Sequence, residues 1–135
     1  MIVYKTGVDG IHEGMLTGFF VGWPDVPDPQ THLRLLQNSD KRVLAIDESN
    51  GRVVGFITAI TDGVLSSYIP FLEVVPEYQE RGIGESLVER MLEELKGIYM
   101  IDVMCDEELQ PFYERLGMQR SQGMIIRNYH RQSGK

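Results

Sequence analysis

The sequence predicts a mixed α/β fold: antiparallel strands in its first half, then helix and strand in alternation. Three observations predict it. Two turn signals, Asn50-Gly51 and Asp62-Gly63, divide three apolar, β-branched runs. A row of apolar residues at i, i+4 spacing then marks a long amphipathic helix. After it come one more apolar run and a short helical pattern. The predicted order is β-α-α-β-β-β-α-β-α-β, with room for one further short strand near Gln119. Two hairpins ahead of the main helix argue against a doubly wound dinucleotide-binding order. At 135 residues the chain is read as a single domain, 1–135.

Each element has its own warrant. Ile2 to Tyr4 reads as a first strand. Asp9-Gly10 is a turn, and Ile11 to Phe20 is expected to be helical with glycine interruptions. The proline-rich stretch Gly22 to Pro29 is a rigid loop. Asp28-Pro29 supplies an N-cap and a proline at the first helical position. Leu33, Leu35 and Leu36 give that helix an apolar side, and Asn38-Ser39-Asp40 ends it. Lys41–Asp47, Arg52–Thr61 and Ser66–Val75 are the three strands. Asn50 and Gly51 are both expected to tolerate positive φ in the first hairpin. Pro70 cannot donate to a ladder, so it marks an edge, a bulge or a splayed position. The main helix is expected over 82–96, with Ile83, Leu87, Met91 and Leu95 on one row and Gly97 as its C-terminal cap. Ile98–Val103 is the next strand, Leu109–Leu116 a short helix with Asp106 near its start, and Met124–Tyr129 the last strand.

Composition bounds the function. The chain is 42% hydrophobic and 24% charged, which argues against disorder. Acids outnumber bases 20 to 13, giving a net charge of -7 and no global basic field for nucleic acid. Cys105 is the only cysteine, so no intrachain disulfide or cysteine-rich zinc site is available. His12, His32 and His130 lack metal-ligand spacing with one another, and no metal is expected. No apolar run approaches the roughly 18–20 residues of a membrane span, and no signal pattern opens the chain. A soluble cytoplasmic protein, with no membrane or nucleic-acid partner, is the expectation.

The segment with most chemical content is Phe71 to Gly84, where a strand enters a glycine-bearing turn that opens directly into the main helix. The N–H groups of a first helical turn have no internal acceptors, and the helix dipole adds to them, so such a turn suits phosphate oxygens. A Walker A loop needs Gly-Lys-Ser/Thr, which Ile83-Gly84-Glu85 does not supply. The dinucleotide fingerprint needs a third small residue, and Leu87 stands there. The pattern Gln/Arg-x-x-Gly-x-Gly/Ala, an acetyl-CoA pyrophosphate loop, is matched at every fixed position by Gln79-Glu80-Arg81-Gly82-Ile83-Gly84.

On this turn, and on Pro111-Phe112-Tyr113-Glu114-Arg115-Leu116-Gly117-Met118 at the expected distance after it, the chain resembles the GCN5-related N-acetyltransferases. The close resemblance covers roughly residues 53–118. It implies their fold, with strands 66–75 and 98–103 splayed apart. It implies acetyl-CoA as co-substrate. The pantetheine arm would pair with backbone groups of Leu72, Glu73 and Val74, and the turn from Glu80 to Glu85 would hold the pyrophosphate. Tyr113 falls where many members aim a tyrosine at the thioester sulfur. Two positions depart from the pattern. Asp106 stands where relatives carry a cofactor-contacting Asn, and Met118 replaces a Phe. The resemblance also makes the terminal strand Met124–Tyr129 a candidate homodimer contact.

Acetyl transfer to an amine poses two proton problems. A lysine-like ammonium with pKa ~10.4 costs about 4–5 kcal/mol to deprotonate at pH 7. The leaving CoA thiolate must be protonated or stabilised, and Tyr113 is the candidate acid. Glu73 is the candidate base. Tyr68, Asp102 and a water chain are weaker ones, and the Val74 N–H is the simplest oxyanion donor. Cys105 is read as a structural thiol. By the resemblance, Phe19, Phe20 and Trp23 fall in the acceptor-pocket region; the two phenylalanines are read as core, and Asp25 and Asp28 are either solvated loop charges or a lure for a cationic acceptor. The glutamates at 85, 89, 93 and 94 form the exposed face of the main helix. The reading is an N-acetyltransferase that moves acetyl from acetyl-CoA to a small-molecule primary amine in a ternary complex. A protein or peptide acetyltransferase and a non-catalytic acyl-CoA-binding module are the alternatives.

Overall fold

The computed structural model describes all 135 residues. Five strands form one sheet in the order β1-β2-β3-β4-β5: β1 Ile2–Lys5, β2 Lys41–Asp47, β3 Arg52–Thr61, β4 Ser66–Val74 and β5 Met100–Val103. The first four run antiparallel, and β5 joins β4 in parallel. Three α-helices complete the fold: α1 Pro29–Asn38, α2 Ile83–Glu94 and α3 Gln110–Arg115. The mixed α/β expectation is therefore met.

The helices sit where local chemistry places them. Asp28 caps α1 by accepting from the Thr31 N–H at 2.8 Å, with Pro29 at the first position. The predicted apolar row of α2 is its buried row: Leu87, Val88 and Met91 are wholly enclosed. Burial of each is worth about 2 kcal/mol. Gly55 in β3 lets the start of α2 settle on the sheet. A Cβ there would lie 3.1 Å from Leu87 and 3.3 Å from Ile83. The other face of β3 carries Phe56, which packs with Phe19, Phe20, His32 and Phe71.

Pro70 stands at the feature that shapes the site. Registers on either side of it, Thr58 with Phe71 and Ile60 with Tyr68, place one extra residue in β4 there. The pairing of β4 with β5 runs only from Ser66–Met100 to Ile69–Val103. Beyond Ile69 the strand goes on to Val74 with no neighbour on that side. The splay expected between these strands is present, and proline occupies the place where no N–H is needed.

Two expectations fail, and one is met in a different form. Ile11–Phe20 is not a helix; only Glu13–Met15 makes a single 3-10 turn. Gly18, at φ 89°, and Phe20, at φ 61°, take left-handed backbone that a helix cannot hold. The predicted Asn50-Gly51 hairpin does form, with positive φ at Gly51 alone, 72°. The turn is a wider one in which Asn50 and Gly51 both donate to the Asp47 carbonyl. Met124–Tyr129 forms no strand, and none forms near Gln119; only Tyr129–Arg131 curls into a 3-10 turn. The reason is pairing: no backbone N–H from Gln119 to Asn128 finds an acceptor in the chain, and a strand exists only through its neighbour.

Candidate active site

The site begins with the free half of β4. The Val75 N–H donates to the Val54 carbonyl of β3. Successive residues alternate sides, so the backbone groups of Leu72 and Val74 face the open edge. Those of Glu73 face β3 instead. This corrects the expectation that Glu73 offers backbone to a pantetheine arm. The Gln79 side chain donates to the Val74 carbonyl at 2.9 Å and ties the following turn to this edge.

The turn supplies a row of donors. From Glu80 to Glu85, six consecutive backbone N–H groups have no acceptor in the chain; the first helical bond of α2 runs from Ser86 to Gly82. Two left-handed residues shape it, Glu80 at φ 65° and Gly82 at φ 81°. Gly82 takes that conformation without a steric penalty, whereas Glu80 takes it with a Cβ and carries local backbone strain. No side chain caps the helix. Six N–H groups without an acceptor at the positive end of α2 are what an anion-binding turn requires. Glu80 and Glu85 are exposed and Ile83 is buried as the first apolar anchor. Arg81 lies over the Tyr78 ring at 4.8 Å and donates to the Glu77 carbonyl.

A tether holds this turn to the sheet. The Tyr78 hydroxyl donates to Asp47 at the end of β2, and Ser49 donates to the same carboxylate. These bonds hold the Asp47 carboxyl at about 2, below the usual range. Arg52 bonds Glu77 at 2.9 Å and lowers its pKa in turn. The sequence reading missed this network. Its members are ordinary surface residue types, 25 to 31 positions apart.

α3 brings Tyr113 to the same place. Phe112 lies 3.8 Å from where a Gly84 Cβ would be, so α3 docks on the first turn of α2. Tyr113 is 7% exposed. Burial pushes its phenol up to about 12, with Cys105 adding to the rise. It is a neutral O–H donor across all physiological pH. The Cys105 thiol is also pushed up, by burial first and then by Asp106, so it is protonated and inert as read. Asp106 is exposed at the head of the 3-10 turn before α3 and makes no capping bond.

Glu73 projects to the α1 face. One oxygen accepts from the Phe20 N–H at 2.8 Å, the other from the Val21 N–H at 3.2 Å. It thus fastens the loop that carries the aromatic residues Phe20 and Trp23, which pack with Phe71. Each carboxylate oxygen keeps a second lone pair. From the far side, Gln132 accepts from the Asp25 N–H and Lys135 bonds Asp28. Asp28 is bonded by Lys135 and by Thr31, which hold it at about 2. It is no free lure for a cationic acceptor. Phe19, Phe20 and His32 are core; Tyr68 and Asp102 are register partners near the start of the splay. No group of three or more His, Cys, Asp or Glu side chains is placed to hold a metal, and no helix is long and apolar enough to cross a membrane.

With this geometry in view, comparison decides the family. The family model for the acetyltransferase (GNAT) family matches residues 8–118. The chain belongs to the GNAT family. Two Arabidopsis thaliana relatives agree. GCN5-related N-acetyltransferase 1, chloroplastic, is 31% identical over 81% of this chain and 57% of its own length. GCN5-related N-acetyltransferase 3, chloroplastic, is 36% identical over 62% of this chain and 34% of its own. The chain therefore spans about a third to just over half of these curated relatives. A crystal structure classed as an acetyltransferase from Deinococcus radiodurans superposes with a TM-score of 0.95, at 42% identity, over 98% of this chain and 92% of its own. A GNAT acetyltransferase of Streptococcus pneumoniae superposes at 0.73, with 28% identity, covering 95% of this chain and 98% of its own. The family's activity is acetyl transfer, and its members use acetyl-CoA.

Proposed function

We propose that this GNAT protein moves an acetyl group from acetyl-CoA to the primary amine of a small molecule, by direct attack in a ternary complex. One observation carries the reading: six free N–H groups open α2 directly beside the unpaired edge of β4. A pyrophosphate seated on the first feature leaves its pantetheine arm along the second, where Leu72 and Val74 offer backbone pairing. The thioester then reaches the gap between β4 and β5, near Tyr113. The Val74 N–H, or that of Leu72, donates to the carbonyl oxygen as the tetrahedral intermediate forms.

The amine enters from the α1 face. Glu73, on that face, draws the ammonium and takes its proton directly or through water. Attack by the neutral amine expels the CoA thiolate. Tyr113 meets that thiolate as a hydrogen-bond donor. With its phenol near 12 and an ordinary thiol near 8.5, outright proton transfer is uphill by about 5 kcal/mol. Stabilisation by a short charge-assisted bond is therefore its first role. The acceptor loop is fastened by Glu73 beneath and by Gln132 and Lys135 outside, and this roofed arrangement favours a small acceptor over a peptide. Calorimetric titration with CoA, followed by mass identification of acetylated amines, tests the proposal. Binding with an acetylated small amine is expected. Absence of CoA binding rejects it.

A further inference from the structure

One side chain spans the two halves of the site. Arg52 opens β3, and its guanidinium lies between the glycine turn and the acceptor loop. Nη1 donates to the Glu77 carboxylate at 2.9 Å, and Nη2 donates to the Thr17 carbonyl at 3.3 Å. Glu77 belongs to the 3-10 turn Pro76–Tyr78 that leads into the glycine turn. Its carbonyl accepts from the Arg81 side chain, within that turn, at 3.0 Å. Thr17 stands at the root of the loop that carries Phe20, Val21 and Trp23. Arg52 thus bonds both halves, 25 positions from Glu77 and 35 from Thr17.

The loop is shaped to admit this guanidinium. A Cβ on Gly18 would lie 2.6 Å from Nη2, well inside van der Waals contact. Gly18 also stands at φ 89°, so both its backbone and its neighbour require glycine there. Two residues on, Phe20 holds left-handed backbone at φ 61° with a full side chain. Such a conformation persists only while contacts over-determine it. At the crest of the loop, Glu73 accepts from the Phe20 and Val21 N–H groups. At its root, Arg52 holds the Thr17 carbonyl. The loop is therefore a strained element fastened at two points, and one fastener also grips the glycine turn.

Stability does not account for this bridge. The Arg52 and Glu77 side chains are 26% and 60% exposed, and ion pairs that open to water contribute little to folding. What a planar fork with two N–H arms fixes is relative position. A lysine ammonium is a single point of charge and cannot hold a carboxylate and a carbonyl in that fixed relation. We propose that Arg52 is a positioning residue that couples the two ligands of the site. Coenzyme seated on the glycine turn fixes Glu77, Glu77 fixes the guanidinium, and the guanidinium fixes the acceptor loop. This coupling presupposes the transferase reading above. It is reciprocal, so an acceptor that orders the loop tightens coenzyme binding by the same factor.

Amide hydrogen exchange on the full chain, with and without saturating CoA, tests it. Trp23 is the only tryptophan, so its fluorescence follows the loop in the same titration. In the wild type, CoA is expected to slow exchange at the Phe20, Val21 and Trp23 N–H groups about fivefold or more and to shift the Trp23 emission. Arg52→Ala should bind CoA within about threefold of wild type by calorimetry, because the Tyr78–Asp47 tether and the turn's own donors remain. Its CoA-dependent protection of the loop should vanish with circular dichroism unchanged, and Arg52→Lys should not restore it. Bound CoA without loop protection in the wild type overturns the proposal. So does protection that persists in Arg52→Ala, since the signal then arises from CoA on the loop itself. Full protection in Arg52→Lys overturns it too, because charge without the fork then suffices. A wild type that binds no CoA rejects the transferase reading, and exchange in the free proteins then decides the bridge. Arg52→Ala should speed exchange at Phe20 and Val21 and also at Tyr78 and Gln79, whose N–H groups bond Val75 and Pro76; unchanged exchange at either end overturns the bridge.

Discussion

Tyr113, Glu73 and His32 divide the work at the scale of single residues. Tyr113 is placed by Phe112 packing on the first turn of α2 and kept neutral by burial. Tyr113→Phe keeps the ring and loses the donor. kcat should fall about 100-fold, with the acetyl-CoA KM little changed, in a thiol-release assay. Glu73 does more than its sequence position foretold. The segment Phe71-Leu72-Glu73 marks a strand carboxylate beside the proposed thioester position, yet nothing in it announces the Phe20 and Val21 N–H groups, 53 and 52 positions away. Glu73→Ala frees those donors and the left-handed Phe20. The acceptor KM should rise about tenfold or more while CoA affinity, read by calorimetry, holds. His32 is a matter of stability. It sits among Phe19, Phe20 and Phe56 with both ring nitrogens unpartnered. Burial lowers its pKa from 6.5 to about 4. The folded state therefore favours the neutral ring. That stability is fully present above pH 6.5 and is lost as pH falls toward 4, by about 3 kcal/mol in all. His32→Phe should flatten the fall in Tm between those pH values; an unchanged slope contradicts the assignment.

At the scale of elements, the glycine turn was legible because its requirements are local. Glycine at 82 permits φ 81°, no residue caps α2, and the strand before it is read from its β-branched run. Pro70 announced the bulge and the splay for the same reason: a missing N–H is a property of one residue. Elements that depend on distant partners were not legible. Ile11–Phe20 has enough apolar residues for a helix, but Gly18 and the Glu73 clamp impose a loop. Met124–Tyr129 has strand composition and no neighbour within the chain. The turn predicts a ligand dependence of its own. Acetyl-pantetheine lacks the pyrophosphate and forfeits the six N–H donors. Charge-assisted bonds contribute about 1.5–3 kcal/mol each, so two of them already account for at least a 100-fold rise in KM over acetyl-CoA. Equal KM values for the two donors would show that the turn holds no phosphate.

Over the whole molecule, the parts converge on one line. The sheet ends in a pair of strands that separate at Ile69, α2 aims its free donors at the opening, α3 sets a neutral phenol beside it, and a clamped aromatic loop roofs the opposite face. The glycine turn and the Phe-Tyr-Glu segment allowed the family to be read before the fold. The acceptor was not readable, because its pocket is made of loops joined by long-range bonds. The most direct test is thiol release from acetyl-CoA by the wild-type protein, against a panel of small amines and short peptides. The account predicts turnover on at least one small amine and none on the peptides. Release on peptides alone would contradict the small acceptor, and no release on any amine would contradict the transfer itself.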